Sequence, residues 1–162
     1  MDFVKPGPNK RVCAFLIDSI IGQTLGILVS LMLKMDLSWV IWALYILLKD
    51  SVDARSIGRY CVGIQIIDET NNPAKTSKAI LRNILMIIPI FPLVEYIVLL
   101  RDAQGRRLGD KIAKTQVTDL KPEVKDSTFL WISIALVVAI VIAQLVLAFA
   151  IVKQHPELLK KA

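Results

Sequence analysis

The sequence predicts an all-α integral membrane bundle. Three crossing helices are expected over residues 12–33, 37–53 and 129–152, with a proline-broken, re-entrant helical segment over 79–100 and a small cytoplasmic two-strand element. Three observations predict it. Of the 162 residues 55% are hydrophobic, and the mean hydropathy is +0.59, beyond an ordinary soluble domain. The apolar runs match the roughly 30 Å hydrocarbon core that a helix of about 20 residues crosses. Lys and Arg crowd the segments between the runs, as they do in cytoplasmic loops.

Residues 1–127 read as one membrane domain, 128–152 as an additional transmembrane helix and 153–162 as a polar tail; two independent domains do not fit this length. The arm 1–10 carries Lys5 and Lys10 ahead of Arg11, which places the N-terminus in the cytoplasm. Helix 12–33 holds a single internal charge, Asp18, and is too long for the core of a signal peptide. Ala14, Asp18, Gly22, Gly26 and Ser30 recur every fourth residue and so share one face. Small residues at that period let a second helix come close, so Gly22, Gly26 and Ser30 are expected to pack within the chain rather than form a dimer seam. Asp18 then points at protein, where an intramembrane carboxylate belongs. Arg11, two turns earlier on nearly the same face, is its expected partner. A packing ion pair and a functional site both fit this placement.

The return helix begins at Leu37, with Trp39 and Trp42 at the outer interface. Its uninterrupted apolar run stops at Leu48, so Lys49, Asp50 and Asp53 are expected low in the bundle, paired or snorkelling. Val62–Ile67 is β-branched enough for a short strand, closed by a turn at Asn71-Asn72-Pro73. Thr76 or Ser77 offers an N-cap for a helix through Arg82 and Asn83. Pro89 and Pro92 interrupt the segment 79–100, and Glu95 follows them. A single kinked crossing would put one of two Lys/Arg-rich loops outside, whereas a re-entrant hairpin keeps both inside. Broken backbone at membrane depth needs protein or a wet cavity around it. Residues 115–118 form a possible second strand. In the last helix Ala135, Ala139 and Ala143 recur at four-residue spacing as a packing face.

The net charge of +6 is expected at an anionic lipid surface on the cytoplasmic face, not on nucleic acid. Cys13 and Cys61 have no metal-ligand companions and the single His is His155, so no metal, cofactor or disulfide framework is expected. No Ser-His-Asp, Cys-His or phosphate-loop arrangement is present, and an enzyme is not expected.

Four pieces, Arg11–Asp18, Ser56–Asp68, Arg82-Asn83 and Arg107–Val117, resemble the RDD family of small bacterial membrane proteins, over roughly residues 8–120. The Arg and two Asp of the family's name match Arg11, Asp18 and Asp110. Two positions depart from its pattern: Gly109 stands where His is frequent, and Lys114 where Gly is usual. If that His serves proton transfer, this chain lacks it. The resemblance implies a multi-pass protein of the bacterial cytoplasmic membrane that transports a small ligand, or a monovalent cation against protons. Related domains in assembly factors imply the alternative, a non-transporting scaffold or accessory subunit of a larger membrane complex. A homo-oligomer fits either. Arg11, Asp18 and Asp110 are the candidate ion- or proton-binding network. Glu95 is a second candidate, as proton or cation carrier or as a paired carboxylate. Arg82 and Asn83 read as a helix-end capping pair more readily than as a ligand site.

Overall fold

Helix α1, Pro8–Leu33, is 26 residues long, with a mean hydropathy of 2.0 over its most apolar window. At 1.5 Å per residue it spans about 39 Å. Among the described residues it is the one helix long and apolar enough to cross a membrane alone. A computed structural model of the chain describes residues 3–88 and 90–154, with 141 and 143–154 described by backbone only. α1 starts four residues before the expected boundary. Pro8 needs no hydrogen-bond acceptor in the first turn, and the Asp126 carboxylate accepts from the Asn9 and Lys10 amides at 3.3 and 3.0 Å. That cap comes from 116 residues away.

Helix α2, Ser38–Leu48, runs back along α1. Gly22 meets Tyr45 and Trp42, Gly26 lies against the Ser38 backbone, and the Ser30 hydroxyl accepts from the Leu37 amide at 2.9 Å. The four-residue stripe is therefore a seam within the chain. The expected helix 37–53 is too long. Its 11 residues reach about 16 Å, half the hydrocarbon core. It ends because Lys49 and Asp50 turn inward to ion pairs with Asp18 and Arg59. Asp53 and Ala54 then take left-handed φ values of 51° and 53°.

Helix α3, Ile57–Val62, follows an N-cap at Ser56, whose hydroxyl accepts from the Arg59 amide at 3.2 Å. Val62 ends this helix rather than opening the strand, and Gly63 turns the chain at φ 74°. Strand β1, Ile64–Asp68, pairs antiparallel with β2, Thr115–Asp119, in the register Ile66↔Val117. The arm lies beside β2, with the Asp119 amide donating to the Val4 carbonyl at 2.8 Å.

Helix α4, Thr76–Asn83, continues as a single 3-10 turn over Ile84–Ile87. Thr76 is not its cap: Lys75 holds that position, and the Thr76 hydroxyl donates to the Ser51 carbonyl at 3.0 Å. Ile88, before Pro89, is extended at ψ 120°, as a pre-proline residue prefers. Helix α5, Phe91–Arg101, then leaves at 116° to the first piece. Helix α6, Leu108–Ile112, precedes β2.

Helix α7, Asp126–Gln154, packs on α1 through Phe129 and Ser133, both buried. The expected face of Ala135 and Ala139 is instead exposed, and the Ala143 side chain lies outside the described residues. Cys13 and Ala14 already supply the small residues at this contact, so the bulky Phe129 fills the groove and the alanines turn away. Residues 155–162 of the polar tail also lie outside the described residues.

Polarity is inverted relative to a water-soluble fold. Leu25, Leu28, Leu31, Trp39, Leu44 and Leu93 are exposed, while Asp18, Asp50, Arg82, Asn83, Glu95 and Asp110 are at most 1% exposed. A hydrocarbon surrounding rewards this arrangement, since a charge facing lipid is costly. The apolar core is small and sits at one end, where Cys13, Val62, Ile64, Ile66, Val117 and Phe129 meet.

The pairing of β1 with β2 puts Thr70 and Lys121 at the end of the molecule that holds the N-terminal arm. Single cysteines at these positions, in a background lacking Cys13 and Cys61, should show the same sidedness toward an impermeant thiol reagent in intact cells. Opposite sidedness would contradict the paired-strand topology.

Candidate functional site: a buried charge network around a cavity

Asp18 lies ten residues into α1, about 15 Å along it. Its Oδ2 accepts from Lys49 Nζ and Ser56 Oγ, each at 2.6 Å. Its Oδ1 accepts from the Gly58 amide at 2.8 Å and from the Tyr45 hydroxyl at 3.5 Å. The end of α2 and the start of α3 thus close on one carboxylate. Gly58 is required for this approach, because a Cβ there would overlap the Ala14 carbonyl oxygen.

A second carboxylate gathers three cations. Asp110 Oδ1 lies 2.5 Å from Arg82 Nη2 and 3.7 Å from Arg107 Nη2, and Oδ2 lies 3.4 Å from Arg11 Nη1. Oδ2 also accepts from the Arg107 amide at 3.1 Å, which starts α6. Burial alone would push the Asp110 carboxyl up, but Arg82, Arg107 and Arg11 outweigh it and hold the group well below the usual carboxylate range. Arg107 reaches on to Glu95, its Nε 3.3 Å from Oε2, while Glu95 Oε1 accepts from the Gly109 amide at 2.9 Å. Asp50 joins the two groups, with Arg59 Nη1 at 2.9 Å and Asn83 Nδ2 donating at 2.8 Å. Asp102, at the end of α5, sets the loop that delivers Arg107 by accepting from the Arg106 amide at 2.8 Å.

These side chains surround a cavity of about 110 Å³. Arg11, Lys49, Arg59, Arg82 and Arg107 line it with Glu95, the one carboxylate on its wall; Asp18, Asp50 and Asp110 stand behind the cations. Phe15, Met86, Pro92 and Leu99 supply an apolar side. Lys49 also lines a wider groove of about 620 Å³ bounded by Tyr45, Ser56 and Tyr60.

The family comparison matches residues 5–114 to the RDD family. The chain belongs to the RDD family. No curated protein and no solved structure matches it. The RDD match ends before α7, which nonetheless shares the core through Phe129. Of the three residues behind the family's name, Arg11 and Asp110 meet directly and Asp18 does not join them. The expected Arg11–Asp18 pair is corrected: Lys49, delivered by the end of α2, is nearer to Asp18, and α6 brings Asp110 to Arg11. Arg82 and Asn83 are fully buried members of the network, not a helix-end capping pair. Glu95 is a paired carboxylate. Lys49 and Asp50 are paired within the bundle, while Asp53 is exposed. Arg59 and Arg107 are network residues that the sequence does not single out, because both lie in Lys/Arg-rich stretches between the apolar runs. The available signals were local: Arg59 follows a Ser56 N-cap, and Arg107 precedes Asp110 at helical i,i+3 spacing.

Asp18 has four donors to lose, whereas Asp110 keeps Arg82 and Arg107 if Arg11 is removed. Asp18→Ala should therefore destabilise by about 3–5 kcal/mol, as when one partner of a buried pair is removed. Arg11→Ala should cost less, about 1–2 kcal/mol for its long hydrogen bonds. Denaturation in mixed detergent micelles measures both, and the reverse order would contradict this partner assignment.

Proposed function

We propose that this RDD protein is a multi-pass protein of the bacterial cytoplasmic membrane, N-terminus inside, that transports a small polar ligand. The observation that carries the reading is a cavity lined by five cationic side chains inside a chain whose outward surface is apolar. Intramembrane charge is costly and is retained mainly along substrate and ion paths. Lys49 lines both the cavity and the wider groove, so its pair with Asp18 stands where a gate between them would stand. On this reading Thr76–Ile87 and Phe91–Arg101 form the re-entrant element, and Met86 and Pro92, on either side of the break, line the cavity.

The charge inventory supports a small ligand over a monovalent cation. Every carboxylate of the network already faces a cation, and Asp110, held ionised by three guanidiniums, is a poor proton carrier. A second reading, an accessory subunit of a larger complex or a homo-oligomer, draws on Ala135 and Ala139. They turn away from α1 and leave a small-residue face open to another helix.

Proteoliposomes carrying an imposed pH gradient test the transport reading. They would be challenged in turn with Na⁺, K⁺, glycine, acetate and phosphate. At least one solute should cause a protein-dependent flux that Lys49→Ala alters severalfold. No flux with any of the five, from correctly inserted protein, would contradict transport and favour the accessory-subunit reading.

A further inference from the structure

We propose that the cavity binds an oxyanion, a single phosphate or carboxylate group, seated against Arg82, Arg107 and Arg11. The inference rests on the cavity being a ligand site and specifies the chemistry of its ligand. Three observations carry it.

The first is charge. Arg11, Lys49, Arg59, Arg82 and Arg107 face Asp18, Asp50, Glu95 and Asp110, so five cations against four carboxylates leave one positive charge buried. A buried surplus of that kind is expensive unless an anion offsets it. The asymmetry is sharper at the cavity wall, where the same five cations meet one carboxylate, Glu95.

The second is unused donors. Arg82 is 0% exposed, yet its Nε and Nη1 have no hydrogen-bond partner among the described residues, and its one close ion-pair contact is through Nη2. Arg11 Nε is also buried without a hydrogen-bond acceptor, and Arg107 Nη2 has only its 3.7 Å contact with Asp110 Oδ1. An unpaired buried donor carries its full desolvation cost. These three guanidiniums all line the cavity. Planar guanidinium forks match the spacing of carboxylate and phosphate oxygens.

The third is size and shape. About 110 Å³ holds roughly three or four water-sized oxygens at about 30 Å³ each, the scale of one phosphate or carboxylate group. The apolar wall of Phe15, Met86, Pro92 and Leu99 can hold whatever carbon chain follows that group. A phospholipid headgroup and a free phosphate share this chemistry.

Intact protein in a phosphate-free maltoside detergent would be titrated with inorganic phosphate, with chloride at matched ionic strength as the reference. Thermal midpoint and equilibrium binding would both be read. Phosphate should bind saturably and raise the midpoint by several degrees more than chloride does. Glu95→Gln decides the placement. It keeps an oxygen for the Gly109 amide while removing the only negative charge on the wall, so phosphate should bind about tenfold tighter or more. Arg82→Gln should weaken binding by a similar factor; if that variant does not fold, Glu95→Gln stands alone as the test. Adding phosphatidylglycerol to the micelle separates the sources. Competition with phosphate marks a lipid headgroup as the occupant, and its absence marks a soluble anion; either result supports an oxyanion site. Phosphate no better than chloride, or phosphate binding unchanged or weakened in Glu95→Gln, would overturn the proposal. Failure of solute flux in proteoliposomes together with phosphate binding would remove transport and leave the site standing.

Discussion

Asp110 is shared by three guanidiniums that arrive from three places in the chain: Arg11 from α1, Arg82 from α4, and Arg107 from the loop before α6. Through them Asp110 ties α1, α4 and α6 together. A chain surrounded by hydrocarbon cannot leave these groups at its surface and cannot drive its helices together by the hydrophobic effect as a soluble bundle does. The small apolar core at one end orders α1, the sheet and α7. Above it the elements are registered by charge: α2 to α1 through Lys49 and Asp18, α3 to the end of α2 through Arg59 and Asp50, α5 to α6 through Glu95 and Arg107.

Two glycines make that registration possible. Gly58 and Gly109 each give a backbone amide to a buried carboxylate, and each lies where a side chain would strike another element's backbone. At Gly109 the obstacle is the Arg82 carbonyl oxygen. Histidine, frequent at this position in the resembling family, has no room in this chain without moving α6 off α4. Its absence therefore goes with the close contact between α6 and α4 in this chain. Lys114, where Gly is usual, takes φ 52° and carries the modest cost of a left-handed non-glycine residue.

The sequence showed the polarity of the bundle plainly because a membrane helix is read from composition and length. The stripe from Ala14 to Ser30 was also legible, since its four-residue period requires a close neighbour and α2 is the next element. Partners were not legible. Asp18 and Arg11 share a face, yet local spacing could not reveal that Lys49 and Asp110 would each arrive first from other elements. Helix limits failed for the same reason: Asp126 extends α1 from across the chain, and ion pairing stops α2 at Leu48. The alanine spacing of α7 misled because small residues mark where a helix could pack, while Phe129 decided where it does. Arg59 and Arg107 lie in Lys/Arg-rich stretches between the apolar runs, and their burial depends on tertiary contacts that composition does not carry.

Asp110 and Arg82 act as one unit at the centre of the network. A double-mutant cycle of Arg82→Gln and Asp110→Asn, read by denaturation in mixed micelles, tests this most directly. The single variants should each be strongly destabilised, and the double variant should be less destabilised than their sum by about 1.5–3 kcal/mol, within the range for residues in one ion-pair network. Costs that simply add, within about 0.5 kcal/mol, would mean that the two residues are neighbours without being partners, and the network would not be what holds the fold together.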